Sequence, residues 1–474
     1  MPDFSAPASA CAFPASLYAR RRAAVAHALQ AAGGGIAILP TALEMPRNRD
    51  SDFAYRHDSY FYYLTGFTEP GAWLAIGSDG RSTLFCRPKD IEREIWDGLR
   101  LGPEAAPEAL GVQAAFGLNL LDEKMPQLLA NQPAVWTPFA THPGLQPQLD
   151  GWLGRVRAQV RQGVDCPGSQ HDLCKILDEM RLFKDAHEIA TLRKAAAISA
   201  HAHVRAMQTS ARALRQSSLA GGLREYHLEA ELLHAFRWSG AQAVAYNSIV
   251  AAGANACVLH YRAGDAELKS GDLCLIDAGC ELDGYASDIT RTFPANGVFS
   301  PAQRQLYAVV LAAQQAAIDA TRPGRRFSDP HDAATCRLIE GMLDTGLLDK
   351  SVHGNSVDNV LASGAYKQFY MHRTGHWMGL DVHDCGSYTE PGAALDADGK
   401  KPSRILQPGM VLTIEPGLYV RPAPGVPEAF WNIGIRIEDD ALVTDEGCEL
   451  LTRGVPVGIG EIEALMRDEA AIGH

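Results

Sequence analysis

Between Gly271 and Phe293 the chain reads GDLCLIDAGCELDGYASDITRTF. Two runs of alternating apolar character, Leu273–Leu275 and Tyr285–Ile289, flank Asp283-Gly284. That dipeptide between such runs predicts a hairpin, because Gly accepts the positive φ of a tight turn. A turn centred on Asp283-Gly284 sets Asp277 opposite Thr290 and diagonal to Asp288. One centred a residue earlier sets the two aspartates face to face. Either register places them on one face, within about 5–8 Å between Cβ atoms. Like charges that close destabilise a sheet unless something positive lies between them. Two solvated aspartates would be the ordinary outcome for an arbitrary pair. Here the apolar neighbours of Asp277 argue for burial, and no Lys or Arg precedes Arg291 on the hairpin. The expected partner is a cation, a metal ion foremost.

Such a hairpin must sit in a larger framework. A chain of 474 residues exceeds one ordinary core, so two domains are expected. The first reads as α/β, over residues 15–170. A helix from Leu17 to Ala32 ends at a Gly33-Gly34-Gly35 turn, followed by a strand at Ile36–Leu39. Strands follow at Ala72–Ile76 and Ser82–Cys86, and helical stretches near Ala105–Leu110 and Leu149–Val160. The turn-rich Asp165-Cys-Pro-Gly marks a boundary, and residues 172–470 read as a second, α+β domain. There the helical patterns lengthen: one opens at Asp185 and runs past Met207, another spans Leu223–Phe236. A capping box with Pro at the first helical position, Ser300-Pro301-Ala302-Gln303, starts a third. Helices followed by a carboxylate hairpin, then helices followed by a second pair of acidic strands, make a coarse internal echo.

The second pair of strands supplies more carboxylates. Met410–Glu415 alternates so that Val411, Thr413 and Glu415 share a face, and Gly434–Glu438 so that Arg436 and Glu438 do. His376 lies in His372-Arg-Thr-Gly-His-Trp-Met-Gly-Leu-Asp-Val-His383. Four carboxylates in apolar strands plus one imidazole suit manganese, cobalt or zinc better than copper. Their charge suits two ions, since a single divalent ion would be over-neutralised; two ions about 3.5–4 Å apart can activate a shared water. The net charge of −13 disfavours nucleic acid and acidic membranes as partners. The cysteines are scattered without any Cys-x-x-Cys, which fits a reducing, cytoplasmic setting. No apolar run approaches the roughly 18–20 residues of a membrane span, and the N-terminus lacks the pattern of a secretory signal.

With these residues in view, the sequence resembles the pita-bread metallopeptidases, and within them the aminopeptidase P family. The resemblance is carried by LIDAG (275–279), SDITRTFP (287–294), GHWMGLDVHD (375–384), TIEPGLY (413–419) and GIRIEDD (434–440). The aromatic-rich segment from Arg47 to Pro70 extends it over nearly the whole chain. It implies a pita-bread catalytic domain behind an aminopeptidase P-type N-terminal domain. It also implies two divalent ions, manganese first among them. Asp277 would hold one ion, His376 and Glu415 the other, with Asp288 and Glu438 bridging. The reaction implied is release of the first residue from peptides with proline second. Water activated between the ions would attack the carbonyl, and Glu415 would take a proton. The expected substrate is a peptide with N-terminal Xaa-Pro, and the expected assembly a homodimer or homotetramer. One departure is visible: Thr389–Ser403 looks longer than the usual link and reads as a surface loop.

Other roles follow the same resemblance. His260, in LHYRAG, matches a position near the substrate carbonyl and amine. His383 matches a histidine that stabilises the tetrahedral intermediate or relays protons, and His372 one that shapes the proline pocket. Arg436 would steady a carboxylate ligand, Tyr419 would line the substrate pocket, and Trp96 could close a neighbouring protomer's site. His201, His203 and His227 are read as ordinary surface or core residues. Prolidase, which takes only Xaa-Pro dipeptides, is the close alternative. Methionine aminopeptidase generally lacks such a first domain. Creatinase-type hydrolases lack the metal set, and so do ligand-free pita-bread binding modules.

Overall fold

Asp283 and Gly284 both adopt positive φ, +51° and +82°, the requirement of the tightest hairpin turn. The turn is therefore centred on them, and the register follows: Leu282 pairs with Tyr285 and Asp277 with Thr290. The computed structural model in which this hairpin is seen describes residues 13–216, 219 and 221–468. Contacts divide the chain between Arg181 and Leu182.

The first unit is built on a six-stranded mixed sheet in the order β4-β3-β2-β1-β5-β6. Its strands are β1 (Ile36–Pro40), β2 (Trp73–Gly77), β3 (Ser82–Cys86), β4 (Ala114–Gly117), β5 (Ala134–Thr137) and β6 (Ser169–Asp172). Pairings β1–β2 and β2–β3 are antiparallel; β3–β4, β1–β5 and β5–β6 are parallel. The helix Ala15–Ala31 carries two buried arginines. Arg21 donates to the Tyr63 carbonyl, and Arg22 to those of Leu64, Leu110 and Gly111. The buried arginines of the basic run thus donate to open carbonyls at helix ends.

The second unit holds two interrupted hairpins against long helices, the α+β arrangement expected. The helices include Ala186–Gln216, Glu225–Trp238, Pro301–Ala320 and Asp329–Thr345. The third begins at the predicted capping box, with Gln303 N donating to Ser300 Oγ and Ser300 N to Gln303 Oε1. Short strands β7 (Ala243–Val244) and β8 (Ile249–Ala252) lead to the first hairpin. It comprises β9 (Leu273–Asp277), β10 (Cys280–Leu282), β11 (Tyr285–Ala286) and β12 (Thr290–Pro294). The second comprises β13 (Val411–Ile414), β14 (Gly417–Val420), β15 (Ile433–Arg436) and β16 (Asp439–Val443), with β17 (Cys448–Leu450) at its edge. Ile414 pairs with Asp439 and Gly417 with Arg436, so one register runs through both halves and sets Glu415 opposite Glu438. Each hairpin is interrupted at its carboxylates. The two are joined there by Glu438 N donating to Thr290 O and Arg436 N to Thr292 Oγ1.

Candidate metal centre

The interruption at each carboxylate pair frees backbone groups for cross-links and turns the acidic side chains toward one another. In the first hairpin, Asp288 N leaves its own ladder and donates to Asp440 Oδ2 at 3.0 Å. Gly279 must be glycine here: a Cβ would lie 1.6 Å from the Ser287 carbonyl oxygen. In the second, the segment around His376 runs antiparallel beside β13. Met378 N, Thr413 N and Glu415 N donate to the carbonyls of Val411, His376 and Thr374. His376 therefore sits opposite Thr413, and Glu415 follows two residues on along the same strand face. Gly375 allows this approach, since a Cβ there would meet the Thr413 carbonyl at 2.1 Å.

Of the eleven residues given a site role from the sequence, one cavity of about 870 Å³ gathers nine: Asp277, Asp288, His376, Glu415, Glu438, His260, His372, His383 and Arg436; Trp96 is exposed in the first unit and lines no part of it. Asp288, His376 and Glu438 present ligand atoms all within 4.8 Å of one another. Tyr419 is not on the cavity wall; it is buried at 1% exposure behind His372. Its hydroxyl accepts from Arg436 Nη1 at 3.0 Å and lies 2.9 Å from His372 Nε2. His372 Nδ1 sits 2.7 Å from the Arg373 carbonyl, which only an N–H can satisfy, so Nε2 accepts from Tyr419. His383 packs edge-on against His376, ring centroids 4.2 Å apart, and His260 is exposed on the opposite segment.

The electrostatics call for added positive charge. Arg436 pairs with Asp277 at 2.5 Å, yet three other carboxylates crowd the same place. Burial, together with the charge of Asp277, raises Asp288; burial with its acidic neighbours lifts Glu438 well above the usual carboxylate range. Burial pushes Glu415 up to about 7 against the pull of His376 and Arg436. Burial opposes the imidazolium of His376, but its contact with Asp288 and the nearby carboxylates raise it to about 9. His372 is pushed down to about 4, by burial first and then by Arg436. A half-buried tyrosine absent from the sequence reading, Tyr246, places its single hydroxyl 2.6 Å from Asp277 and 2.5 Å from Asp288. One O–H cannot donate to both, so this contact also lacks a positive charge. Its apolar setting in AVAYNSIV gave no chemical signal.

The donor set fits a metal. His376 Nδ1 lies 3.0 Å from the Trp377 carbonyl, which fixes its proton there and leaves the Nε2 lone pair free in the neutral ring. Nε2 stands 3.5 Å from Asp288 and 3.7 Å from Glu415, beyond the 2.7–2.9 Å of a charged hydrogen bond and wide enough for an ion between.

A cluster of buried carboxylates with one imidazole, set on two linked hairpins, defines a metallohydrolase centre. Residues 190–445 match the family model for metallopeptidase family M24, and residues 18–136 that for the aminopeptidase P N-terminal domain. The chain belongs to metallopeptidase family M24, whose members use divalent metal ions. It is 42% identical to the Xaa-Pro aminopeptidase of Escherichia coli K12, over 95% of this chain and 97% of that protein. It is 40% identical to the Xaa-Pro aminopeptidase of Haemophilus influenzae, over 90% and 92%. Among solved structures, an aminopeptidase of Pseudomonas aeruginosa superimposes with a TM-score of 0.88 at 46% identity, covering 96% of this chain and 98% of that one. Zinc-substituted E. coli aminopeptidase P in complex with product gives 0.87 at 41%, over 96% and 98%. The fold expected from the sequence, an aminopeptidase P-type N-terminal domain before a pita-bread catalytic domain, is the one found.

Proposed function

We propose that this metallopeptidase is an Xaa-Pro aminopeptidase that releases the first residue from peptides carrying proline second. The observation that carries the reading is full-length similarity to Xaa-Pro aminopeptidases, supported by the five expected ligand side chains lining one cavity. Asp277, Asp288, His376, Glu415 and Glu438 would hold two ions, manganese foremost. Bound there, such ions acidify water and stabilise the oxygen charge of a tetrahedral state.

The chain's own groups supply the rest. Glu415 takes the proton from the attacking water: its side chain keeps 18% exposure, against 13% for Asp277 and 6% for Asp288, so it is open to the cavity. His383 donates to the developing oxyanion, and His260 orients the peptide's amino end. His372, held in one tautomer by Arg373 and Tyr419, shapes the proline side; Tyr419 acts through it. Arg436 holds Asp277 in position through their buried contact. The prolidase alternative would share the five metal ligands. The full-length relatives favour the aminopeptidase.

For the assembly we propose a homodimer or homotetramer in the cytoplasm. Ile91, Ile95 and Trp96 stand 81%, 78% and 84% exposed along one short helix, an apolar face that association would cover. Among the described residues no helix is long and apolar enough to cross a membrane.

The test compares Arg-Pro-Pro, Arg-Ala-Pro and Gly-Pro with chelated enzyme, before and after adding manganese. Manganese-dependent release of Arg from Arg-Pro-Pro, with Arg-Ala-Pro untouched, is expected. Cleavage of Gly-Pro alone would establish the dipeptidase instead.

A further inference from the structure

Charge is segregated inside the cavity. Asp277, Asp288, Glu438 and Arg436 form its buried floor, with Glu415 above them, partly open to the cavity. Leaving histidines aside, every other charged side chain on its wall is basic: Arg262, Arg373 and Lys401. They come from three separate segments. Arg262 follows His260 by two residues, and Arg373 adjoins His372. Lys401 stands at the foot of the Thr389–Ser403 loop, whose ends pair with each other and so return both to the cavity. All three are exposed, and none is ion-paired with a described carboxylate. Three exposed cations lining one cavity of a protein with net charge −13 run against its composition, although the charge of Arg373 also acts on Asp332 nearby. They create a positive field at the mouth of a cleft, where low-dielectric walls strengthen it.

The reactive groups fix which end of a substrate meets this wall. The amino end and first residue occupy the floor, so anything beyond the proline leads outward. Each added residue carries the chain about 3.3–3.6 Å, and the cavity is at the large end of the roughly 300–1,000 Å³ typical of small-ligand sites. There is room for residues past the proline.

We propose that Arg262, Arg373 and Lys401 form a subsite for an anionic group in the two or three residues after the proline, so that the enzyme favours Xaa-Pro peptides with acidic tails. The inference rests on the Xaa-Pro aminopeptidase reading and adds to it a preferred class of substrate. The anion is a side-chain carboxylate or the free C-terminal carboxylate of a short peptide.

Manganese-loaded full-length enzyme is assayed for alanine release from four peptides: Ala-Pro-Glu-Glu amide, Ala-Pro-Lys-Lys amide, and Ala-Pro-Ala-Ala as free acid and as amide. Each exposed charge pair contributes a few-fold at most, so the three together predict about a tenfold preference in kcat/KM for the Glu tail over the Lys tail. The preference is expected in KM, and shrinks as added salt shortens the screening length. Preference for the free acid over its amide would assign the C-terminal carboxylate as a second source of the anion. The readout in variants is the Glu-to-Lys ratio. Arg262→Ala/Arg373→Ala/Lys401→Ala brings it close to one, and Lys401→Glu lowers it by itself. A wild-type ratio near one, or a ratio unmoved in both variants, overturns the subsite while leaving the activity in place. No alanine release from any of the four overturns the underlying reading as well.

Discussion

Arg436 Nη2 lies 2.5 Å from Asp277 Oδ2, a buried pair that links the two hairpins across the cavity floor. The same guanidinium donates through Nε to Thr290 Oγ1 at 3.0 Å and through Nη1 to the Tyr419 hydroxyl at 3.0 Å. Thr290 in turn donates to Glu438 Oε2 at 2.6 Å. One fork therefore positions Asp277 directly, Glu438 through Thr290 and His372 through Tyr419.

Arg436→Ala should accordingly lower kcat/KM by about 10–100-fold, the range seen when groups that orient metal ligands are removed. Arg436→Lys keeps the charge but not the fork, and should recover only part of the loss. The check is kcat/KM for Arg-Pro-Pro alongside manganese affinity by calorimetry. Activity of the alanine variant within threefold of wild type would deny the fork any part in the site.

Glu415 and Glu438 were legible because acidic residues in apolar strands stand out, and Asp283-Gly284 because positive φ at both positions suits few other pairs. What escaped the sequence has physical reasons. Tyr246 sits among apolar residues, and a tyrosine there reads as core. The link Glu438 N–Thr290 O joins residues far apart in the chain, beyond any local pattern. β6, Ser-Gln-His-Asp, is a polar strand at the end of its sheet and carries no apolar alternation, while β4 and β5 are too short to show a period. The departure at Thr389–Ser403 was visible as extra length, but not that its foot places Lys401 on the cavity wall.

His203 gives a pH prediction for stability. It is fully buried, and its Nε2–H donates to the Ala278 carbonyl at 2.9 Å, where the first hairpin is interrupted. Burial above all pushes its pKa down to about 4; the Ala278 bond and Asp277 oppose this, and Arg291 assists it. In the unfolded chain the ring titrates near 6.5. Between these values the unfolded state binds the proton and the folded state does not, so the contribution is whole above pH 6.5 and is lost progressively toward pH 4. Moving from pH 7 to pH 5 should remove about 2 kcal/mol through this group. Urea unfolding of wild type and His203→Gln at both values is the check, and an equal fall in the two proteins would exclude it.

Lys184 and Asp384 form a second buried ion pair, Nζ to Oδ2 at 3.0 Å with both side chains 1% exposed. Asp384 immediately follows His383, and its N–H donates to the Trp377 carbonyl one residue beyond His376. The pair thus anchors the turn that holds both histidines. Gly379 makes room for it, since a Cβ there would lie 2.2 Å from Asp384 Oδ2. Lys184→Met removes the Lys184 charge from beside a buried carboxylate, a change that costs up to about 3–5 kcal/mol. Lys184→Met/Asp384→Leu removes both charges and should regain most of that stability, because desolvating the pair offsets much of its attraction. Activity should separate from stability: the double variant folds well yet loses the constraint on His383, so kcat falls while the unfolding midpoint recovers. Denaturation midpoints and kcat for the two single variants and the double variant form the cycle that measures this. Equal loss of stability in the single and double variants would mean that the charges contribute by packing alone.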